Sequence, residues 1–168
     1  MKQLKLWCIV GIIFVLITGT AAHFLYGWTN GNFFIGLFTP VNESVWEHMK
    51  LLFFPMLLFS SVMAAQLKGA YPYIASSLCF GILAGTLFIP AFFYGYTFLL
   101  GRDVFVLDLL TFLLSVLIAF FSAYKLTLSC QLKACRLLSF CLVWAFFLCF
   151  MLFTYQPPKL GLFSENGL

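Results

Sequence analysis

PVNESVWEHMK at residues 40–50 runs without a break into LLFFPMLLFSSVMAAQL at 51–67. The second stretch is apolar over the length that crosses a bilayer as a helix, roughly 20 residues. The first holds two of the five carboxylates in the chain, one of its two histidines and a lysine. A helix that enters lipid directly behind such a cluster fixes the class of fold. It also marks where the scarce ionisable groups have been kept.

The rest of the chain agrees. Of 168 residues, 64% are hydrophobic and 8% charged, and the mean hydropathy is +1.08. Soluble domains carry roughly 25% charged residues, so this chain could not cover itself with polar surface in water. The expected fold is all-α, a polytopic transmembrane helical bundle. About five transmembrane helices are expected, at residues 6–26, 45–66, 73–99, 104–124 and 137–155, in a single integral membrane domain over 1–168. Pro90 is expected to interrupt the third. The net charge of +4 is spread over helix flanks and forms no basic patch with interleaved aromatics, so no nucleic-acid partner is expected. The partners expected are membrane lipids, with a homo-oligomer or a partner membrane protein beside them.

With the N-terminus inside, Lys2, Lys5, Lys68, Lys125, Lys133 and Arg136 fall on the cytoplasmic side. Lys50, Arg102 and Lys159 fall outside. That bias satisfies the positive-inside rule and places the C-terminus outside, in a bacterial cytoplasmic membrane. Glu43, Glu47, Asp103, Asp108 and Glu165 all fall toward the outer side. The first segment also follows the layout of a signal peptide, with Thr20-Ala21-Ala22 before His23. The length of its apolar run and the Tyr26/Trp28 anchor favour a retained helix. Cys8, Cys79, Cys141 and Cys149 sit in apolar segments, where thiols act as small hydrophobes. Cys130 and Cys135 lie in a basic loop, and no ligand spacing links any of the six.

Small residues indicate where helices touch. Gly81 and Gly85 form a G-x-x-x-G with Ser77 one turn earlier. Gly11, Val15, Gly19 and His23 recur at i, i+4. On the fourth segment Asp108, Thr111, Ser115 and Ser122 form a polar stripe. Its hydroxyls could simply bond their own helix, which leaves Asp108 to be explained; a pairing with Arg102 is one explanation.

In the opening cluster, Thr39-Pro40 reads as a helix start, with Asn42 or Ser44 as later caps and Ser44-x-x-Glu47 at capping-box spacing. With any of these starts, Glu43, Glu47 and Lys50 are expected on one face of the helix, with Ser44 and His48 on the face beside it. His23 lies 18 residues beyond Lys5, about 27 Å along a helix, hence near the outer interface. His23, Glu43, Glu47, His48 and Asp108 are therefore expected on one shelf drawn from three helices. Their roles divide by chemistry. His23 and His48 are the candidate metal ligands, with zinc as the metal. Glu43 and Glu47 are the candidate catalytic carboxylates, and Asn42, Ser44, Lys50 and Asp108 the candidate substrate- or ion-binding groups. Each also has a plain structural reading: Glu43 a first-turn acid, Glu47–Lys50 a helical ion pair, Trp46 an interfacial anchor. Together they are harder to dismiss, because isolated ionisable groups in a membrane are costly.

The run His23…Pro40-Val41-Asn42-Glu43-Ser44-Val45-Trp46-Glu47-His48-x-Lys50-Leu51 resembles a family of small bacterial multipass membrane proteins of unknown function that carry N-E-S-x-W-E-H ahead of a transmembrane helix. That resemblance implies a fold and no activity. The same heptad is similar in part to N-E-T-x-N-x-W-T-H of the progestin and adiponectin receptor and haemolysin III group, which implies a histidine-held metal. No His follows His48, so the later ligands of that group have no counterpart. Two classes of function follow: a binding, transport or accessory role, or a metal-dependent membrane hydrolase acting on a lipid or isoprenoid substrate at the outer leaflet.

Overall fold

A computed structural model describes residues 2–129 and 136–164. Glu165, Lys133, Cys130 and Cys135, each given a place above, lie outside the described residues. The described chain is all-helical: α1 Lys2–Trp28, α2 Phe33–Gly36, α3 Val45–Leu67, α4 Ile74–Leu100, α5 Phe105–Ser129, α6 Arg136–Phe153, then a 3-10 turn at Gly161–Phe163. All but α2 and the 3-10 turn are long and apolar enough to cross a membrane, giving the expected five. Their bounds extend or trim the expected ones by a few residues at most ends. The four-residue α2 was not expected.

The chain alternates up and down, so the C-terminal ends of α1, α4 and α6 meet the N-terminal ends of α3 and α5. Helices α1, α3, α4 and α5 form a closed ring, each packed on the next, with α6 against α4. The small residues set the close approaches. At Gly81, an added Cβ would collide with the carbonyl oxygen of Ala119 on α5; at Gly85 it would lie 2.7 Å from both the Ala119 Cβ and the Ser115 carbonyl. The G-x-x-x-G face therefore brings backbone onto backbone. At Gly11, an added Cβ would strike the Phe120 ring, and at Gly19 it would lie 2.5 Å from the Leu51 carbonyl and 2.7 Å from Phe112. A Gly81→Ala protein is expected to lose about 1–3 kcal/mol by overpacking, while Gly27→Ala, where nothing lies within 4 Å, is expected to lose none. Thermal melts of the two variants side by side check this.

Two expectations are corrected. Helix α4 runs unbroken through Pro90, so this proline does not create a discontinuous helix. Trp46 is not an interfacial anchor. It is 6% exposed and packs between Phe150 and Phe163, ring centroids 4.6 and 4.8 Å away. After α6 the 3-10 turn at Gly161–Phe163 folds back onto α3.

Candidate metal centre

The loop from α1 to α3 decides the site, and its own side chains shape it. Asn30 and Gly31 take positive φ values of 52° and 72°, conformations favoured by Asn and Gly, and turn the chain back. Asn32 caps α2 by accepting from the Phe34 and Ile35 amides. Asn42 Oδ1 accepts from the Ser44 amide, 3.0 Å, and Ser44 Oγ in turn accepts from the Glu47 amide, 3.4 Å. Ser44 is therefore the N-cap of α3, and Pro40 lies ahead of the helix. Of the three possible starts, the latest is the one used.

This start separates groups that a helix from Pro40 would have aligned. Glu43 precedes the helix and turns outward, while Glu47 and Lys50 turn into the bundle. Lys50 is fully buried and Glu47 is 2% exposed. Lys50 Nζ donates to Glu47 Oε2 and to Thr154 Oγ1, both at 2.6 Å, and to the Gly36 carbonyl at 3.0 Å. The Thr39 carbonyl stands at 3.5 Å. Glu47 Oε2 also accepts from the Val41 amide, 3.0 Å. One ammonium and one carboxylate thereby tie α3 to α2, to the 39–41 segment and to the end of α6. The buried charges have the additional hydrogen bonds that make such a pair tolerable.

On the other side of α3, three groups converge. His23 Nε2, His48 Nε2 and a Glu43 carboxylate oxygen all lie within 4.8 Å of one another. The separations are 3.3 Å between the two imidazole nitrogens, 3.3 Å from His48 Nε2 to Glu43 Oε2 and 3.6 Å from His23 Nε2 to the same oxygen. A tetrahedron whose corners stand roughly 2.0–2.1 Å from a central zinc has edges of about 3.3–3.4 Å. Both imidazole side chains are 31% exposed and that of Glu43 is 69% exposed, so the group is open on one side.

The tautomer of His48 suits a metal. His48 Nδ1 stands 2.9 Å from the Ser44 carbonyl, and a carbonyl only accepts, so Nδ1 carries the proton. The Nε2 lone pair then points at the other two groups. A backbone carbonyl on the far nitrogen is the usual outer-shell partner of a ligating histidine. Three electron-pair donors brought this close repel unless a cation, proton or metal, stands among them.

Of the five groups expected on one shelf, His23, Glu43 and His48 meet, and Glu47 is held inside by Lys50. Asp108 is not within the 4.8 Å group. It accepts from Tyr96 Oη of α4, in place of a pairing with Arg102. The stripe below it takes the plain reading: Thr111 and Ser115 donate to the carbonyls of Leu107 and Phe112 on their own helix. The residues that sequence reasoning did not assign are Thr154 and Tyr96. Thr154 ends a run of apolar residues and carries no motif. Tyr96 stands in a run of aromatic and apolar residues that announces no partner.

No curated protein and no solved structure matches the chain, so the likeness to the haemolysin III group finds no support in these comparisons. What does match is a family model: over residues 1–167 the chain fits the family described as a family of unknown function (DUF6512), and it belongs to that family.

Proposed function

We propose that this chain is a membrane-embedded metal-binding protein whose His23–Glu43–His48 centre holds one divalent transition metal, with zinc the best match. The observation that carries the reading is the trio of 3.3, 3.3 and 3.6 Å separations between the three ligand atoms, which corresponds to one face of a tetrahedron around zinc. Two imidazoles and one carboxylate suit zinc and exclude neither iron nor cobalt, while magnesium and calcium prefer all-oxygen shells.

The chain is proposed to sit in a bacterial cytoplasmic membrane with its N-terminus inside, on the Lys and Arg bias of its flanks. The centre then faces outward, one helical turn or so below the ends of α1 and α3. Glu47 and Lys50 act as the support of the loop that presents Glu43, with Asn42 and Ser44 fixing its turn. Within the binding, transport or accessory class, metal binding is the member supported by geometry.

A second reading, a metal-dependent hydrolase acting on a lipid or isoprenoid substrate, is favoured by one feature. Three protein ligands and an open side are the pattern of catalytic zinc, whereas structural zinc is closed by four. The test of the first reading is metal content of the full chain purified without chelator. About one zinc or iron per chain is expected, falling sharply in Glu43→Ala. A wild-type protein free of metal after zinc dialysis would overturn it.

A further inference from the structure

Helices α1 and α5 pack antiparallel and leave an open groove of about 550 Å³ along their outer seam. Its walls are two stripes at helical spacing. On α1, Lys5, Cys8, Ile9 and Ile12 stand at i, i+3, i+4 and i+7. On α5, Leu117, Phe121 and Tyr124 stand at i, i+4 and i+7. Each stripe runs about 10 Å along its helix, a large part of one leaflet of a hydrocarbon core roughly 30 Å thick. Phe120 is the floor. It is 1% exposed and lies against Gly11, where an added Cβ would strike its ring.

The groove is apolar along its length and cationic at one end. The start of α1 and the last turns of α5 bring Lys5 and Tyr124 to that end. Lys125 Nζ stands 5.4 Å from the ring centroid of Phe121, which is part of the α5 wall. This cation–π contact holds a second ammonium at the same rim. Both lysines are exposed. Among the described residues, the carboxylates of Glu43, Glu47, Asp103 and Asp108 all belong to the other end of the bundle, so none neutralises this rim. A second open groove, of about 490 Å³, lies between α1 and α3, and no charged residue lines it. The cationic rim is therefore particular to the α1–α5 groove.

We infer that the α1–α5 groove is a binding site for one anionic phospholipid. One acyl chain lies along the two apolar stripes, and the phosphate meets Lys5 and Lys125 at the rim, with Tyr124 Oη as a further donor. The apolar walls give no preference among lipids, because all lipid tails are alike to them. The preference comes from the lysines, whose attraction to anionic headgroups acts at the membrane surface. A soluble phosphate would gain only exposed ammonium groups, which bind weakly in water. A zwitterionic lipid would fill the groove and leave the charge unbalanced. The inference stands on the membrane-spanning helices and is independent of the metal reading.

The experiment offers the full chain in detergent equal amounts of phosphatidylglycerol and phosphatidylcholine with identical chains, and counts retained lipid by native mass spectrometry. The wild type is expected to retain one phosphatidylglycerol in preference to phosphatidylcholine. Lys5→Gln and Lys125→Gln are each expected to lower that preference about fivefold, and the double variant to abolish it. Lys68→Gln removes an exposed lysine at the end of α3 on the same side of the bundle, and is expected to keep the wild-type preference. Leu117→Trp keeps both ammonium groups and fills the groove, so it is expected to retain less of either lipid. Glycerol 3-phosphate at the same concentration is expected to displace nothing. A wild type with no preference overturns the inference. So does a Lys68→Gln loss equal to that of Lys5→Gln, which would show a general attraction to basic surface. Leu117→Trp retaining lipid like the wild type would place the lipid elsewhere, and displacement by glycerol 3-phosphate would make the ligand a soluble phosphate; either result overturns it as well.

Discussion

Replacing Lys50 by Met destabilises the folded protein by about 3–5 kcal/mol, the cost of leaving a buried charge without its partner. Lys50 is fully buried and Glu47 nearly so, and the ammonium is the group that Glu47, Thr154 and the Gly36 carbonyl share. Met fills the same volume, so the loss is electrostatic and not a cavity. The carboxylate that remains keeps only the Val41 amide, and three carbonyl or hydroxyl acceptors, of Gly36, Thr39 and Thr154, lose their donor as well. Chemical unfolding in detergent, followed by helical circular dichroism, measures the loss. The double variant Glu47→Leu with Lys50→Met separates the pair from the site it occupies. Removing both charges is expected to recover most of the stability, because a buried ion pair replaced by apolar groups is often neutral. A Lys50→Met protein that unfolds with the wild type would show that the ammonium does not hold the loop. The effect should also reach the proposed metal centre, since the 39–41 segment anchored by this network leads directly into Glu43.

The fold was legible in the sequence because one physical constraint dominates it. In lipid every backbone group must be paired within a helix, so apolar runs of the right length have one solution. Length, composition and the glycine spacing of α1 and α4 were enough to state five helices and their tight faces. The site was legible in its members and not in its grouping. Three of the five groups expected on one shelf, His23, Glu43 and His48, meet, but whether Glu43 shares a face with Glu47 and Lys50 depended on where α3 begins. Thr39-Pro40, Asn42 and Ser44 are all competent starts by capping chemistry. The choice among them is made by tertiary contacts: Lys50 reaches the carbonyls of Gly36 and Thr39, which keeps 39–43 off the helix. Thr154 lies 104 positions from Lys50, and no local pattern announces such a partner. Trp46 was misplaced for a related reason. Depth along the helix suggested an interface, but α6 and the chain after it cover that face with Phe150, Phe153 and Phe163.

His48→Ala is expected to abolish metal retention, and a stability measurement makes the loss quantitative without any assay of activity. A metal that binds the folded chain alone stabilises it by RT ln(1 + [M]/Kd), about 2.7 kcal/mol at free metal a hundredfold above Kd. The wild type titrated with zinc should therefore gain a rising melting temperature, and His48→Ala should gain none. His23→Ala should behave alike, because each imidazole supplies one corner of the same face. Glu43→Gln should retain part of the gain, since the amide oxygen still coordinates weakly. The sign of the pH dependence follows from the ligands. Metal needs both imidazoles neutral, so protons compete with it. The zinc-dependent gain should be full in mildly alkaline buffer and shrink on acidification, whereas metal-free protein should show no such zinc-dependent difference at any pH. If His48→Ala gains as much stability from zinc as the wild type, the metal binds elsewhere, and the convergence of His23, Glu43 and His48 serves only to hold α1 against α3.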